Sequence, residues 1–239
     1  MEKLCSCQYP KQAKPTKFLV MKFDFNKVAQ NYDDYYHSEF GKKIDDVEKR
    51  LVKKYLNKIP DKEALEIGCG TGHWSMFFSD NGFQITGIDL ASDMLAKAID
   101  KDIPGAVFME MDAENLMFPS ESIKNIFSIA TAEFTNDQQQ FFDEAFRVLK
   151  RGGYLLVGGL NANSTLGKTK EQDEVFKDAT FFTPESLYRF LTRFGHAEIE
   201  GCALIDQTGT ILDHPDDHNI PQQKLNKEGA FLVGFVKKL

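Results

Sequence analysis

Gly68, Gly70 and Gly72 alternate through the run Glu66-Ile67-Gly68-Cys69-Gly70-Thr71-Gly72, directly after a short apolar stretch. Glycines at a strand-to-helix turn let a ligand approach the backbone, and the free N–H groups of the helix that follows favour a negative group. A dinucleotide loop of the G-x-G-x-x-G form needs its third glycine at position 73, where His73 stands. No Lys follows to complete a G-x-x-x-x-G-K-[ST] loop, so both phosphate-cradling readings are weakened. Asp89 closes the next apolar run, in Gly87-Ile88-Asp89-Leu90. An ionised carboxylate only accepts hydrogen bonds and takes two donors at once, which suits the vicinal hydroxyls of a ribose. Asp112, in Met111-Asp112-Ala113, is a further acceptor one strand along, suited to the exocyclic amine of an adenine.

The elements that must hold these residues alternate along the chain. Short apolar runs at 64–68, 83–89, 106–111, 123–130 and 154–160 predict five strands. Between them, helices are expected at 72–80, ended by Asn81-Gly82, from a Ser92 cap to Ile99, and at 138–149. Upstream, Ile44, Val47, Leu51 and Tyr55 recur at helix spacing within an aromatic-rich helical stretch from Phe25 to Leu56. Thr183-Pro184-Glu185 starts another helix, with Leu187, Phe190, Leu191 and Phe194 on one stripe and Gly195 as its stop. Two closing strands at 197–206 and 230–237 flank a polar loop at 208–228 and, joined without a helix, predict antiparallel pairing. The expected fold is α/β: a Rossmann-like, doubly wound, seven-stranded sheet, mostly parallel with an antiparallel C-terminal edge strand, plus an N-terminal helical lid. The expected division is a flexible tail at 1–20 and a single domain at 21–239. Within the domain, 21–60 forms the lid, 61–160 the ligand-binding core, and 161–239 the substrate-side helix and closing strands.

Composition narrows the function classes. Lys and Arg number 29 against 36 Asp and Glu, a net charge of −7, which gives no electrostatic footprint for nucleic acid. No stretch approaches the roughly 18–20 apolar residues that cross a bilayer, and the basic N-terminal run lacks the apolar middle of a signal peptide. Four cysteines are too few for a disulfide scaffold, so a cytoplasmic protein is expected. His214 and His218 in a polar, Pro-containing loop, and Cys5 and Cys7 in the tail, read as solvated segments, so no metal is expected. The small side chain of Cys69 is explained by burial inside the glycine loop. The 21 Phe predict a phenylalanine-rich core, with Phe181 and Phe182 bordering the substrate side.

Four blocks in order, LEIGCGTG, GIDLASDML, MDAENLMFPSESIKNIFSI and EAFRVLKRGGYLLVG, carry a resemblance. Together they resemble the class I S-adenosylmethionine-dependent methyltransferases, in the small-molecule branch similar to the ubiquinone and menaquinone C-methyltransferases (the type 11 methyltransferase domain). The likeness runs from about Phe25 to Gly159, and NANSTLGK and FFTPESLYRFLTRFG add later features of the same branch. It implies S-adenosyl-L-methionine as cofactor, with Glu66 orienting the loop near the amino-acid end and Gly68, Gly70 and Gly72 under the methionine part. It also implies Asp89 on the ribose, Leu90 and Met94 against the adenine, and Asp112 on the adenine amine. Ala113 would offer a backbone N–H to the ring, Ala130 would face the cofactor through its backbone, and Tyr32 would close over it from a lid helix. Lys150-Arg151-Gly152-Gly153 departs from the family's usual Lys-Pro-Gly-Gly.

The activity so implied is in-line methyl transfer to a small-molecule acceptor, in which proximity and a closed site do most of the catalysis. Tyr36, His37, Glu133 and Asn161 are pocket candidates, and no residue is assigned as catalytic. An NAD(P)-dependent oxidoreductase is the second reading, opposed by His73, and a non-catalytic cofactor-binding protein the third, opposed by the presence of both Asp89 and Asp112. The acceptor, the acceptor atom and the oligomeric state are left open by the sequence.

Overall fold

The computed structural model describes residues 22–206, 208–213 and 220–239. The expected tail, with Cys5 and Cys7, and the His214–His218 segment therefore lie outside the described residues.

The N-terminal segment is less regular than its aromatic spacing predicts. After a 3-10 turn at Phe25–Lys27 the chain runs through turns to α1 (Asp34–His37), and Ser38 interrupts the helix. Ser38 is extended and its Oγ accepts from the Gly41 N–H at 2.9 Å, capping α2 (Glu39–Leu56). A Cβ at Gly41 would lie 1.9 Å from the Tyr35 carbonyl oxygen, so glycine is what lets α1 and α2 meet. Ile44, Val47, Leu51 and Tyr55 form the buried stripe of α2.

The alternation then follows: β1 (Glu63–Ile67), α3 (His73–Asp80), β2 (Gln84–Asp89), α4 (Ser92–Asp100), β3 (Ala106–Glu110), β4 (Ile123–Ile129), α5 (Gln138–Val148) and β5 (Leu149–Leu160). The chain continues through α6 (Thr165–Thr169), α7 (Pro184–Leu191), β6 (Ala197–Cys202), α8 (Gln222–Glu228) and β7 (Phe231–Lys237). One seven-stranded sheet has the order β3-β2-β1-β4-β5-β7-β6, with β1 to β5 parallel and β7 antiparallel to both β5 and β6. The C-terminal edge is thus an antiparallel pair, with β7 inserted between β5 and β6. Helices cover both faces, which is why the central strands read as continuous apolar runs. Phe78, Phe127 and Phe231 belong to the core on one face, and Phe141, Phe142, Phe182 and Phe194 to the core on the other.

Several boundaries differ from the sequence reading. Ala91, not Ser92, is the N-cap of α4 and makes no side-chain cap bond. The Asp89 carboxylate serves the turn instead, accepting from the Ala91 N–H at 2.9 Å. Strand β5 starts five residues early and bulges opposite Lys124. Gly152 takes a φ of +76° there, and a Cβ on Gly153 would lie 2.3 Å from the Lys124 carbonyl oxygen. That bulge accounts for the glycine pair. α7 ends at Leu191 with Thr192 as its cap, before Gly195. The expected polar loop contains α8, whose Asn226 side chain accepts from the Gly201 N–H at 2.9 Å.

Candidate functional site

The strand ends converge on a cleft of about 960 Å³, its open mouth included. This is the carboxyl edge of the parallel sheet, where open α/β folds bind ligands. Gly68, Gly70, Asp89, Leu90, Met94, Asp112, Ala113, Ala130 and Tyr32 all line it. Glu66 and Gly72 do not.

The loop geometry explains its glycines. Gly68, Gly70 and Gly72 take φ of +76°, +53° and +80°, a region closed to most side chains. A Cβ on Gly68 would lie 2.2 Å from Thr131 Oγ1, whereas one on Gly70 would meet only Met94 Cε at 3.6 Å. Gly72 faces away from the cleft, packed against Ile103 and Ala98. Asp89 stands across from the loop: its Oδ2 accepts from the Gly70 N–H at 2.8 Å. Burial raises the Asp89 carboxyl above its ordinary value, opposed by the bonds from Ala91, Gly70 and Leu90. Asp112 holds its own turn, its Oδ1 accepting from the Glu114 N–H at 2.9 Å. Ala130 takes a left-handed φ of +49° at the end of β4, an unusual conformation for a residue with a Cβ.

Glu66 points inward rather than into the cleft. It is buried, with Ser75 Oγ donating to Oε2, and burial pushes its carboxyl up to about 8. Among the pocket candidates, Tyr36 lines the cleft while His37 is exposed away from it. Asn161 is consumed by structure: its side-chain amide donates to the Lys227 and Gly229 carbonyls at 3.1 and 2.8 Å. Glu133 is buried with Oε1 accepting from the Leu160 N–H at 2.6 Å, while Oε2 has no hydrogen-bond partner among the described residues. Burial pushes its carboxyl up to about 7. Phe181 and Phe182 are buried and line neither cavity.

The first part of the expected 21–60 lid, residues 22–37, runs along the cleft and lines it through Phe23, Phe25, Tyr32 and Tyr36. Tyr32 sits on it in a turn between the 3-10 segment and α1, rather than on a helix. Thr71 Oγ1 donates to Asp33 Oδ1 at 2.6 Å, and Lys101 Nζ pairs with Asp33 Oδ2 at 2.6 Å. Burial alone would raise the Asp33 carboxyl, but these two partners hold it below its ordinary value. Asn26 caps the start of α4 by accepting from the Asp93 N–H at 2.9 Å. Phe25 packs edge-on to Phe134, their ring centroids 4.9 Å apart.

Phe23, Phe25, Trp74, Thr131 and Phe134 line the cleft without having been singled out as binding residues. Only Trp74 carried a positional signal, two residues after the glycine loop. The others reach the cleft through tertiary packing.

The lining carries three carboxylates, Asp89, Asp112 and Glu114, and among the described residues no Lys or Arg. Such a cleft disfavours a pyrophosphate and fits a nucleoside bearing positive charge. That set matches S-adenosylmethionine, a sulfonium attached to an adenosine.

Comparisons with known proteins agree. Residues 65–157 match the family model described as a methyltransferase domain. An uncharacterised protein of Methanocaldococcus jannaschii is 28% identical over 216 residues, covering 89% of this chain and 95% of that protein. A 2-methyl-6-phytyl-1,4-hydroquinone methyltransferase of Synechocystis is 29% identical over 159 residues, covering 64% of this chain and 47% of that enzyme. The chain thus spans about half the length of that relative. A Thermotoga maritima structure described as a SAM-dependent methyltransferase, possible histamine N-methyltransferase, superposes with a TM-score of 0.71 at 25% identity, covering 90% of this chain and 98% of that one. Residues 65–157 thus match a methyltransferase domain, and the chain as a whole is similar to S-adenosylmethionine-dependent methyltransferases of known structure.

Proposed function

We propose that this chain transfers a methyl group from S-adenosylmethionine to a small, largely apolar acceptor. One observation supports this above the others: a second cavity, about 1730 Å³ with its mouth, shares Tyr32, Tyr36, Trp74, Ile129, Ala130 and Phe134 with the cleft. Two chambers with a common wall suit a donor and an acceptor that must meet in line.

The cofactor supplies a methyl on a sulfonium: the acceptor's lone pair forms the new bond, the carbon–sulfur bond breaks, and sulfur keeps that pair as a neutral thioether. Asp89 would take the ribose hydroxyls, and Asp112 with the Ala113 N–H would fix the adenine between Leu90 and Met94. Gly68 and Gly70 would lie under the methionine part, with Glu66 and Gly72 supporting the loop from behind. Tyr32 and Tyr36 would exclude water at the shared wall, and Ala130 would set its floor. None of these residues needs to act as a general base, since the acceptor's proton can leave after transfer. The chain would work as a cytoplasmic enzyme with no nucleic-acid partner. Among the described residues no helix is long and apolar enough to cross a membrane, and no cluster of three or more His, Cys, Asp or Glu could hold a metal.

The test is production of S-adenosylhomocysteine when enzyme and cofactor meet a panel of small metabolites. An acceptor-dependent rise is expected, abolished by Asp89→Ala. Cofactor binding with no turnover on any small acceptor, but turnover on a protein or nucleic acid, would overturn the small-molecule reading.

A further inference from the structure

The second cavity has a marked imbalance of charge. Its rings come from Tyr32, Tyr35, Tyr36, Phe40, Trp74, Phe134, Phe176 and Phe231, and among the described residues no Lys, Arg or His lines it. Three carboxylates do: Glu48, Asp173 and Asp206.

Two of the three are committed to their own loops. Asp173 Oδ1 accepts from the Val175 and Phe176 N–H groups at 2.8 and 3.2 Å. Asp206 Oδ1 accepts from the Thr208 and Thr210 N–H groups at 2.8 and 2.9 Å, and from the Thr208 hydroxyl at 2.7 Å. Glu48 differs. It projects from α2 into the cavity and has no hydrogen bond or ion pair among the described residues. Its neighbour Lys49 is engaged elsewhere, pairing with Asp45 at 2.7 Å. Desolvation, with Asp45 adding and Lys49 opposing, pushes the Glu48 carboxyl up to about 8. A carboxyl left without a partner in an apolar chamber gains most from a ligand that brings a positive charge. The surrounding aromatic faces favour the same sign.

Resting on the methyltransferase reading, we propose that the second cavity selects an organic amine with an apolar body, its protonated nitrogen paired with Glu48 and its body lying against Trp74 and Phe134. The ammonium is a recognition group, without the lone pair needed to take the methyl itself, and the body carries the methylated atom. Glu48 is then a specificity residue for the acceptor and has no part in holding the cofactor.

The test uses three probes that share one apolar body: 2-phenylethylamine, 2-phenylethanol and 3-phenylpropanoate. Trp74 is the single tryptophan of the chain and lines the cavity, so its fluorescence reports binding to the intact protein. The amine should bind at least about ten-fold tighter than either other probe, as one desolvated charge-assisted pair supplies. Glu48→Gln should cut that preference to about two-fold or less, while leaving the affinity for S-adenosylhomocysteine unchanged as proof of folding. Equal or tighter binding of the alcohol or the carboxylate, or a preference that survives Glu48→Gln, would overturn the proposal. The S-adenosylhomocysteine titration judges the cofactor reading separately: its failure beside an intact amine preference would sink that reading and still support the amine site.

Discussion

Tyr36 lies flat on the His73 imidazole, their ring centroids 3.5 Å apart and their planes 7° from parallel. His73 Nε2 is also 2.7 Å from Asp45 Oδ1 on α2. One stack therefore joins the lid, the first helical residue after the glycine loop and the helix that walls the second cavity. The position where a dinucleotide loop needs its third glycine serves here as an anchor for the lid.

Asp33 ties the expected lid to the glycine loop and to the end of α4, so it is the place to ask whether that segment gates a bound nucleoside. Asp33→Ala removes both the Thr71 bond and the Lys101 pair. Both are partly exposed, so each is worth about 0.5–1 kcal/mol. Cofactor dissociation should speed up by at most roughly five- to thirty-fold, the factor that about 1–2 kcal/mol supplies. Stopped-flow Trp74 fluorescence checks this, and an unchanged dissociation rate would show that the lid does not gate the cleft.

Two glycines with similar backbone and opposite surroundings separate strain from clash. Gly68 has a φ of +76° with Thr131 Oγ1 2.2 Å from a would-be Cβ, and Gly82 has a φ of +85° with nothing within 4 Å. Gly82→Ala should lose about 1 kcal/mol, the left-handed penalty alone, and keep cofactor affinity. Gly68→Ala should lose more than that, since Thr131 must also move, and bind the cofactor at least about ten-fold more weakly. Thermal denaturation and calorimetry on the two variants decide it. Equal effects on both would remove the steric argument.

These contrasts bear on how much the residues alone disclose. The glycine run, Asp89 and Asp112 were legible because parallel strands buried on both faces read as apolar runs, and their last residues mark the binding edge. Glu66 read as orienting the loop from the end of β1, and its carboxylate is held behind the loop by Ser75, a partner nine residues on that no sequence pattern indicates. α8 was hidden because Gln222–Glu228 is short and polar and has no buried residue. Glu48 sits on the helix α2 as one acid among many, and only the closure of lid, α2 and the segment after β5 gives it a cavity.

Burial of Glu66 has a pH consequence. Its folded value of about 8 exceeds the ordinary 4.5, so the folded protein keeps a proton that the unfolded chain releases. The stability this contributes is fully present below about 4.5 and is lost as the pH rises through about 8. Glu66→Gln lacks the titration while retaining the shape. Relative to the wild type, the variant should therefore gain on the order of a few kcal/mol between pH 5 and pH 9. Urea unfolding at the two pH values measures it. A difference independent of pH would mean that Glu66 stays ionised in the fold.

The central claim is that the cleft beside Asp89 binds S-adenosylmethionine, and calorimetric titration of that cofactor into wild type and Asp89→Ala tests it most directly. Micromolar binding by the wild type should weaken by about 100-fold or more in the variant, as expected when a charged acceptor of two hydrogen bonds is removed. Circular dichroism should show both proteins folded. No binding by folded wild type, or equal binding by both proteins, would contradict the account.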